Sequence, residues 1–280
     1  MGCVGVRCER FGIVRRRPSD LGVVMHPDAA SQHAAVLAAL RARDSRLRRI
    51  GGSLSADAEG HRIEVFTDVW RTWLRDAGTD ARVVDHLLDP IKSGSVSRRD
   101  VRKRAGMAND PRALRQLLVT TLAWGMGRRN ARMLPGIMRL LASEQLDEAL
   151  DATAVAARAG RPAVAYRSWQ AARLPGLREP FFTKWLWAAS HTGPRVDGGA
   201  EWLRCLTLDG RVWRTLGSEA HRWSSVTAAG TRVRAERYEA YAKACHLWAE
   251  ELGVTPEDVE FALFDAGGDL VPPAADRSIT

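Results

Sequence analysis

Two residues stand where their chemistry asks for an explanation: Asp209 in CLTLDGRVWRTL and Lys184 in FFTKWLW. Asp209 follows an apolar run and directly precedes Gly210 and Arg211. An unscreened carboxylate in such a setting stabilises positive charge developing on a nearby carbon and orients a water molecule. Lys184 is set among Phe181, Phe182, Trp185, Leu186 and Trp187. When neutral, such an amine attacks an electrophilic carbon and forms a Schiff base. Each residue also has a plainer reading. An Asp before Gly-Arg is commonly a helix N-cap, and a lysine on an apolar helix packs its stem while its ammonium reaches the surface.

The elements that must hold these groups are legible around them. LPGLREPFFTKWLW, residues 174–187, reads as helix, turn, helix: residues 162–173 lead in, Pro175-Gly176-Leu177-Arg178 turn, and Pro180 opens a helix to 191. Such a hairpin exposes backbone N–H groups at a helix start, where they and the positive end of the helix dipole suit a phosphate. Gly176, Leu177, Arg178 and Thr183 are therefore expected to touch a nucleic-acid backbone, the glycine allowing close approach. Upstream, NDPRALRQLLVTTLAWGMG begins with Asp110 as N-cap and Pro111 at the first helical position, and stops at Gly125 and Gly127. SVSRRDVRKRAG is expected to be a short basic helix capped by Ser97, and Thr255-Pro256-Glu257-Asp258 has the form of a capping box.

From about Ile63 onward nearly every segment reads as helix, including 65–78, 130–143, 144–159, 210–216, 232–252 and 256–264. No window shows sustained alternation, so the expected class is all-α. A further helix is expected over 29–46, followed by a Gly/Ser linker. The organisation expected is a basic N-terminal extension over 1–60, with Met25 as the preferred start, a helical domain over 61–266 and a disordered tail over 267–280.

At 280 residues and 45% hydrophobic content the chain can bury a core. No apolar run approaches the roughly 20 residues that span a bilayer, and no secretory signal is visible, so a cytoplasmic protein is expected. Cys3, Cys8, Cys205 and Cys245 are too scattered for a disulfide framework or zinc pairs, and Cys205 and Cys245 are expected reduced in the core. Phosphate-loop, zinc-protease, dinucleotide and acyl-hydrolase motifs are absent, and the seven histidines lack ligand spacing, so no metal is expected.

The net charge of +9 and pI near 10.1 favour a polyanionic partner. Charge is segregated: residues 92–139 hold twelve Lys and Arg against Asp100 and Asp110, a local net of +10. Residues 250–280 hold Arg277 against eight acidic residues, a local net of −7. A basic nucleic-acid face and a solvated acidic far side are expected.

LPGL, then FFTKWLW, then LTLDGRVWRTL resembles the helix-hairpin-helix superfamily of DNA glycosylases. Within it the chain is similar to the bacterial proteins with the 8-oxoguanine DNA glycosylase fold, over about residues 65–265. The resemblance implies two helical lobes with the active site in the cleft between them, and double-stranded DNA as partner. It implies that the hairpin binds phosphates, often with a monovalent cation held by hairpin carbonyls, and that the essential aspartate falls on Asp209. The turn that fills the gap left by a flipped base falls on residues 124–130, which makes Gly125, Arg128, Arg129 and Asn130 DNA-binding candidates, together with Arg211 beside the aspartate. The flipped base needs an aromatic-lined pocket, for which Trp124, Phe181, Trp185, Trp213, Trp248, Phe261 and Phe264 are the candidates.

The departures carry information too. Arg178 stands where the family hairpin usually has a second glycine, and Pro180 where lyase-bearing members carry a nucleophilic lysine. Lys184 lies four residues later, one turn along the same face. Either Lys184 reaches the sugar from one turn deeper, or water attacks with no lysine nucleophile. The second, a monofunctional enzyme, is the expectation. Its substrate is an oxidised purine in repair or a modified base of foreign DNA in defence against phage. A non-catalytic DNA-binding protein of the same fold and a protein-interaction helical domain are the competing readings. A monomer without a protein partner is expected.

Overall fold

Side chains start the helices where the sequence places caps. Ser97 accepts from the Asp100 N–H at 3.1 Å while the Asp100 carboxylate accepts from the Ser97 N–H at 2.8 Å. Thr255 and Asp258 form the same reciprocal box, and Asp110 Oδ1 accepts from the Ala113 N–H at 2.8 Å. Each contact satisfies donors that the first helical turn leaves unpaired. The computed structural model describes residues 27–49, 52–54, 58, 60–76, 78–126, 133–193, 202–218 and 222–267.

The described residues form a helical protein with one small sheet. In chain order come α1 (Pro27–Arg49), β1 (Arg62–Glu64), α2 (Thr67–Asp76), α3 (Ala81–Leu88), β2 (Ser95–Ser97), α4 (Arg98–Ala105), α5 (Pro111–Met126) and α6 (Leu134–Leu141). They are followed by α7 (Leu146–Arg158), α8 (Pro162–Ala171), α9 (Glu179–Ala189), α10 (Gly210–Leu216), α11 (Ser225–Ala229), α12 (Arg234–Leu252) and α13 (Pro256–Ala266). The strands pair antiparallel, Arg62 opposite Ser97, Ile63 opposite Val96 and Glu64 opposite Ser95. At three residues each they are too short for alternation to show in the sequence. Their effect is local: the Arg98 N–H donates to the His61 carbonyl at 3.3 Å, which holds the start of α4 beside His61.

The helix that carries Lys184, α9, packs on α4, α5, α7 and α8, and every residue from Phe182 to Ala189 is buried. The helix after Asp209, α10, packs on α13, and α13 packs on α12. Helix α1 runs longer at both ends than expected and is no loose extension. Val36 and Leu40 are wholly buried, and His33 accepts from the Trp248 indole N–H at 3.1 Å. Residues 1–26 lie outside the described residues, as does all but Gly267 of the tail expected over 267–280.

The charge segregation is only partly a surface property. Within the basic band Arg98 is 2% exposed and paired with Glu260, and Arg115 pairs with Asp147 at 2.5 Å. The acidic stretch is only partly a solvated side: Glu250, Glu251 and Asp265 are exposed, whereas Glu257, Asp258 and Glu260 are buried. The charges at these positions serve internal ion pairs and a helix cap, which a count along the chain does not separate from free surface charge.

Candidate active site

Residues 203–208 belong to no helix or strand, so their backbone must be satisfied by other means. The Leu203 N–H donates to Gly160 O at 3.1 Å, and the Arg204 N–H to His246 Nε2 at 2.9 Å. The Tyr238 hydroxyl accepts from the Leu206 N–H at 3.1 Å and donates to its carbonyl at 2.7 Å. The Tyr241 hydroxyl donates to Thr207 O at 2.9 Å, and Thr183 Oγ1 accepts from the Leu208 N–H at 3.1 Å. This cradle ends at Asp209.

Asp209 is both a cap and more than a cap. Its Oδ1 accepts from the N–H groups of Arg211 at 2.8 Å and Val212 at 3.3 Å, which fixes the carboxylate at the start of α10. Its Oδ2 faces Lys184 Nζ at 3.6 Å. Lys184 comes to it from one turn inside α9, its side chain leaning toward the helix start as helical side chains do, and Nζ donates to Pro180 O at 3.2 Å. The amine thus lies over Pro180, one turn before it in the helix.

Room for that lysine comes from α5. A Cβ on Gly125 would stand 2.7 Å from Lys184 Cδ, and Phe181 lies against the same space, its ring centroid 5.8 Å from Nζ. Burial pulls the Lys184 ammonium below the usual lysine range, and Asp209 and then Glu260 push it back up. The lysine is 8% exposed.

Behind the pair is a buried ionic and aromatic layer that the sequence reading missed. Arg98 binds the Glu260 carboxylate and donates to Glu257 O at 3.1 Å, and Glu260 also accepts from Thr207, two residues before Asp209. The guanidinium lies 5.3 Å from the Trp124 ring, 5.0 Å from Trp187 and 5.8 Å from Phe261. The rings and the ion pair with Glu260 make its burial tolerable, although its Nε has no hydrogen-bond partner among the described residues. His61 packs against Trp124, Phe261 and Phe264 with centroids 6.1, 5.3 and 5.8 Å away. Burial and then the charge of Arg98 lower its pKa, so it is held neutral. His61 Nδ1 and Trp124 Nε1 are buried without a hydrogen-bond partner among the described residues.

The expected site residues separate into two groups. Asp209, Lys184, Gly125 and Phe181 meet at one place, and Trp124, Phe261 and Phe264 meet around His61. Arg211 is exposed at the start of α10, its guanidinium 4.5 Å from the Phe264 ring. Trp185 is wholly buried and donates to Thr153 at 2.9 Å, and Trp248 is equally buried against His33. Trp213 stacks on Trp223 and meets the Tyr241 ring at a tilt. Trp185 and Trp248 are core, and Trp213 is half-buried against it. Thr183 is fully buried and spends its hydroxyl inside the protein, so the expected DNA contact is replaced by a structural one. Arg128, Arg129 and Asn130 lie outside the described residues.

The hairpin itself is built differently from the expectation. Gly176 has φ +89°, and its Cβ position would fall 2.2 Å from Gly136 O, so its bare backbone serves close packing on α6. Arg178 is exposed and extended at φ −86° and ψ 166°, where a second glycine would have turned the chain. The Gly176 carbonyl lies against Gly136. Among the described residues no cluster of His, Cys, Asp and Glu suits a metal ion, and no helix is long and apolar enough to cross a membrane.

No curated protein and no solved structure matches the chain. A family model does, described as putative 8-oxoguanine DNA glycosylase OGG-like protein and matching residues 56–264, about three quarters of the chain. That span contains the hairpin, Lys184, Asp209 and the Arg98–Glu260 layer, and the chain belongs to this 8-oxoguanine DNA glycosylase-like family.

Proposed function

We propose that the protein is a DNA glycosylase that cleaves the N-glycosidic bond of a flipped-out base, with Asp209 and Lys184 at the reacting carbon. The observation that carries this reading is the 3.6 Å approach of Lys184 Nζ to Asp209 Oδ2 beside a layer of aromatic rings. As the base departs, positive charge grows on the deoxyribose, and an oriented carboxylate stabilises it. Asp209 is oriented because its other oxygen is committed to the cap. Its partial desolvation and its reach back to the helix start support Lys184 as a nucleophile on the anomeric carbon. In the second reading water attacks and Lys184 only holds Asp209; it keeps the monofunctional expectation.

Double-stranded DNA in this reading lies across the hairpin, with Arg178 at phosphate and the end of α5 toward the vacated stack. Trp124, Phe181, Phe261, Phe264 and His61 are the walls it meets. His61 Nδ1 and Trp124 Nε1 are polar groups left for it to satisfy. A monomer suffices.

The test is base release by the purified protein on duplexes carrying 8-oxoguanine, uracil, alkylated purines or hypermodified phage cytosines. Asp209→Asn keeps a good N-cap, so its loss of activity, expected at about 100-fold or more, reports chemistry rather than folding. Borohydride trapping that disappears in Lys184→Ala selects the lysine reading, and release without trapping selects water. Tight binding with no release from any duplex would favour the non-catalytic reading.

A further inference from the structure

We propose that Thr183 is a positioning residue that sets the distance between Lys184 and Asp209. Two consecutive residues of α9 meet two consecutive residues of the segment before α10: Thr183 meets Leu208, and Lys184 meets Asp209. The hydroxyl has one proton to give. Its better acceptor is Glu179 O at 2.8 Å rather than Leu208 O at 3.3 Å, so the oxygen is left to accept from the Leu208 N–H at 3.1 Å. The residue therefore ties the first turn of α9 to the peptide that precedes Asp209. The other side-chain anchors of the segment, His246, Tyr238, Tyr241 and Glu260, lie on α12 and α13 and place it relative to those helices. Thr183 alone among these side chains places it relative to the helix that carries the lysine. Without that tie the backbone at Leu208 must find another acceptor, and Asp209 moves with it.

This inference rests on the Lys184–Asp209 reading of the site, and its test separates the two. Thr183→Val keeps the shape and removes the tie. Two quantities are read: single-turnover base release, and, without DNA, the pH dependence of reductive methylation of Lys184 by formaldehyde and cyanoborohydride, followed by mass spectrometry. The expected result is a fall of about 10- to 100-fold in the rate with DNA affinity within threefold, because small displacements of reacting groups cost that much. The methylation midpoint is expected to move to lower pH as the carboxylate recedes, and Thr183→Ser is expected to restore both readings. If Thr183→Val does not fold, Thr183→Cys, with a larger and poorer acceptor, is read in the same way. A midpoint unchanged in the folded variant overturns the positioning role whatever the activity. A shifted midpoint with no base release from the wild type keeps it and removes the glycosylase reading instead.

Discussion

Gly125 and Lys184 adjoin so closely that a single methyl group decides whether the lysine keeps its place: a Cβ at position 125 would lie 2.7 Å from Lys184 Cδ and 3.3 Å from Cε. Gly125→Ala is expected to push the lysine stem off Pro180 O and away from Asp209. Alanine favours a helix over glycine by about 1 kcal/mol, so α5 itself is not weakened by the change. Single-turnover base release should fall about 10- to 100-fold while melting temperature holds. A rate within twofold of wild type would mean that the lysine does not need this position.

Gly136 and Gly176 pose the same steric problem at the hairpin, with backbone on both sides. A Cβ on Gly176 would sit 2.2 Å from Gly136 O at a φ of +89°, whereas a Cβ on Gly136 would sit 3.1 Å from Gly176 Cα. Gly176→Ala should therefore displace the turn from α6 and cost about 1–3 kcal/mol of stability through strain alone. Gly136→Ala should cost less. Duplex affinity by fluorescence anisotropy at fixed salt should weaken about tenfold for Gly176→Ala if the hairpin grips phosphate, since a good charge-assisted contact is worth that much. Equal affinities in both variants and wild type would move the DNA interface off the hairpin.

These contacts show which parts of the site were readable in the sequence. Asp209 and Lys184 were visible because a charge in an apolar run is unusual locally, and the caps at Ser97, Asp110 and Thr255 because a cap is a contact across three residues. Arg98 and Glu260 were not visible, since their pairing joins positions 98 and 260 and each sits in a stretch already crowded with charge of its own sign. His61 gave no signal, because its neighbours are rings from α5 and α13. Thr183 and Trp185 were misplaced for a related reason: helical spacing says which residues share a face, and not that α9 would be covered by four other helices. The hairpin glycine makes a close approach that the sequence does not assign, to the backbone of Gly136.

The Arg98–Glu260 pair should behave as a buried ion pair whose separate members are costly to remove. Burial raises the Glu260 carboxyl while Arg98 and Thr207 draw it down, so the pair is held by mutual charge in a place that water does not reach. Glu260→Leu leaves a guanidinium uncompensated among Trp124, Trp187 and Phe261, and should cost about 3–5 kcal/mol in urea unfolding. Replacing both, Arg98→Met with Glu260→Leu, should recover most of that loss. A double variant as unstable as the single one would mean that the pair contributes more than its own neutralisation.

The buried titratable groups predict the direction in which pH acts on stability. His33, His61 and His191 are all held below the ordinary histidine value of 6.5, first of all by burial. The unfolded chain therefore binds protons at these sites at a pH where the folded protein does not. Stability from them is complete above pH 6.5 and declines as the pH falls through that value toward their folded pKa values. Glu257 acts in a lower window. Against its burial, the hydrogen bond from His191 and the charge of Arg204, 2.9 Å away, hold it to about 2 instead of 4.5, so its contribution is present above 4.5 and is lost between 4.5 and about 2. Urea midpoints measured from pH 8 to pH 4 should thus be flat above 7, fall on acidification through 6.5, and begin a second fall near 4.5. His191→Gln should flatten part of the first decline, because a side chain that cannot take up a proton in the unfolded state removes the difference that drives it. A midpoint that rises between pH 7 and 5.5 would show instead that these imidazoles gain charge on folding, which the rings packed around His61 and His33 and the enclosed contacts of His191 oppose.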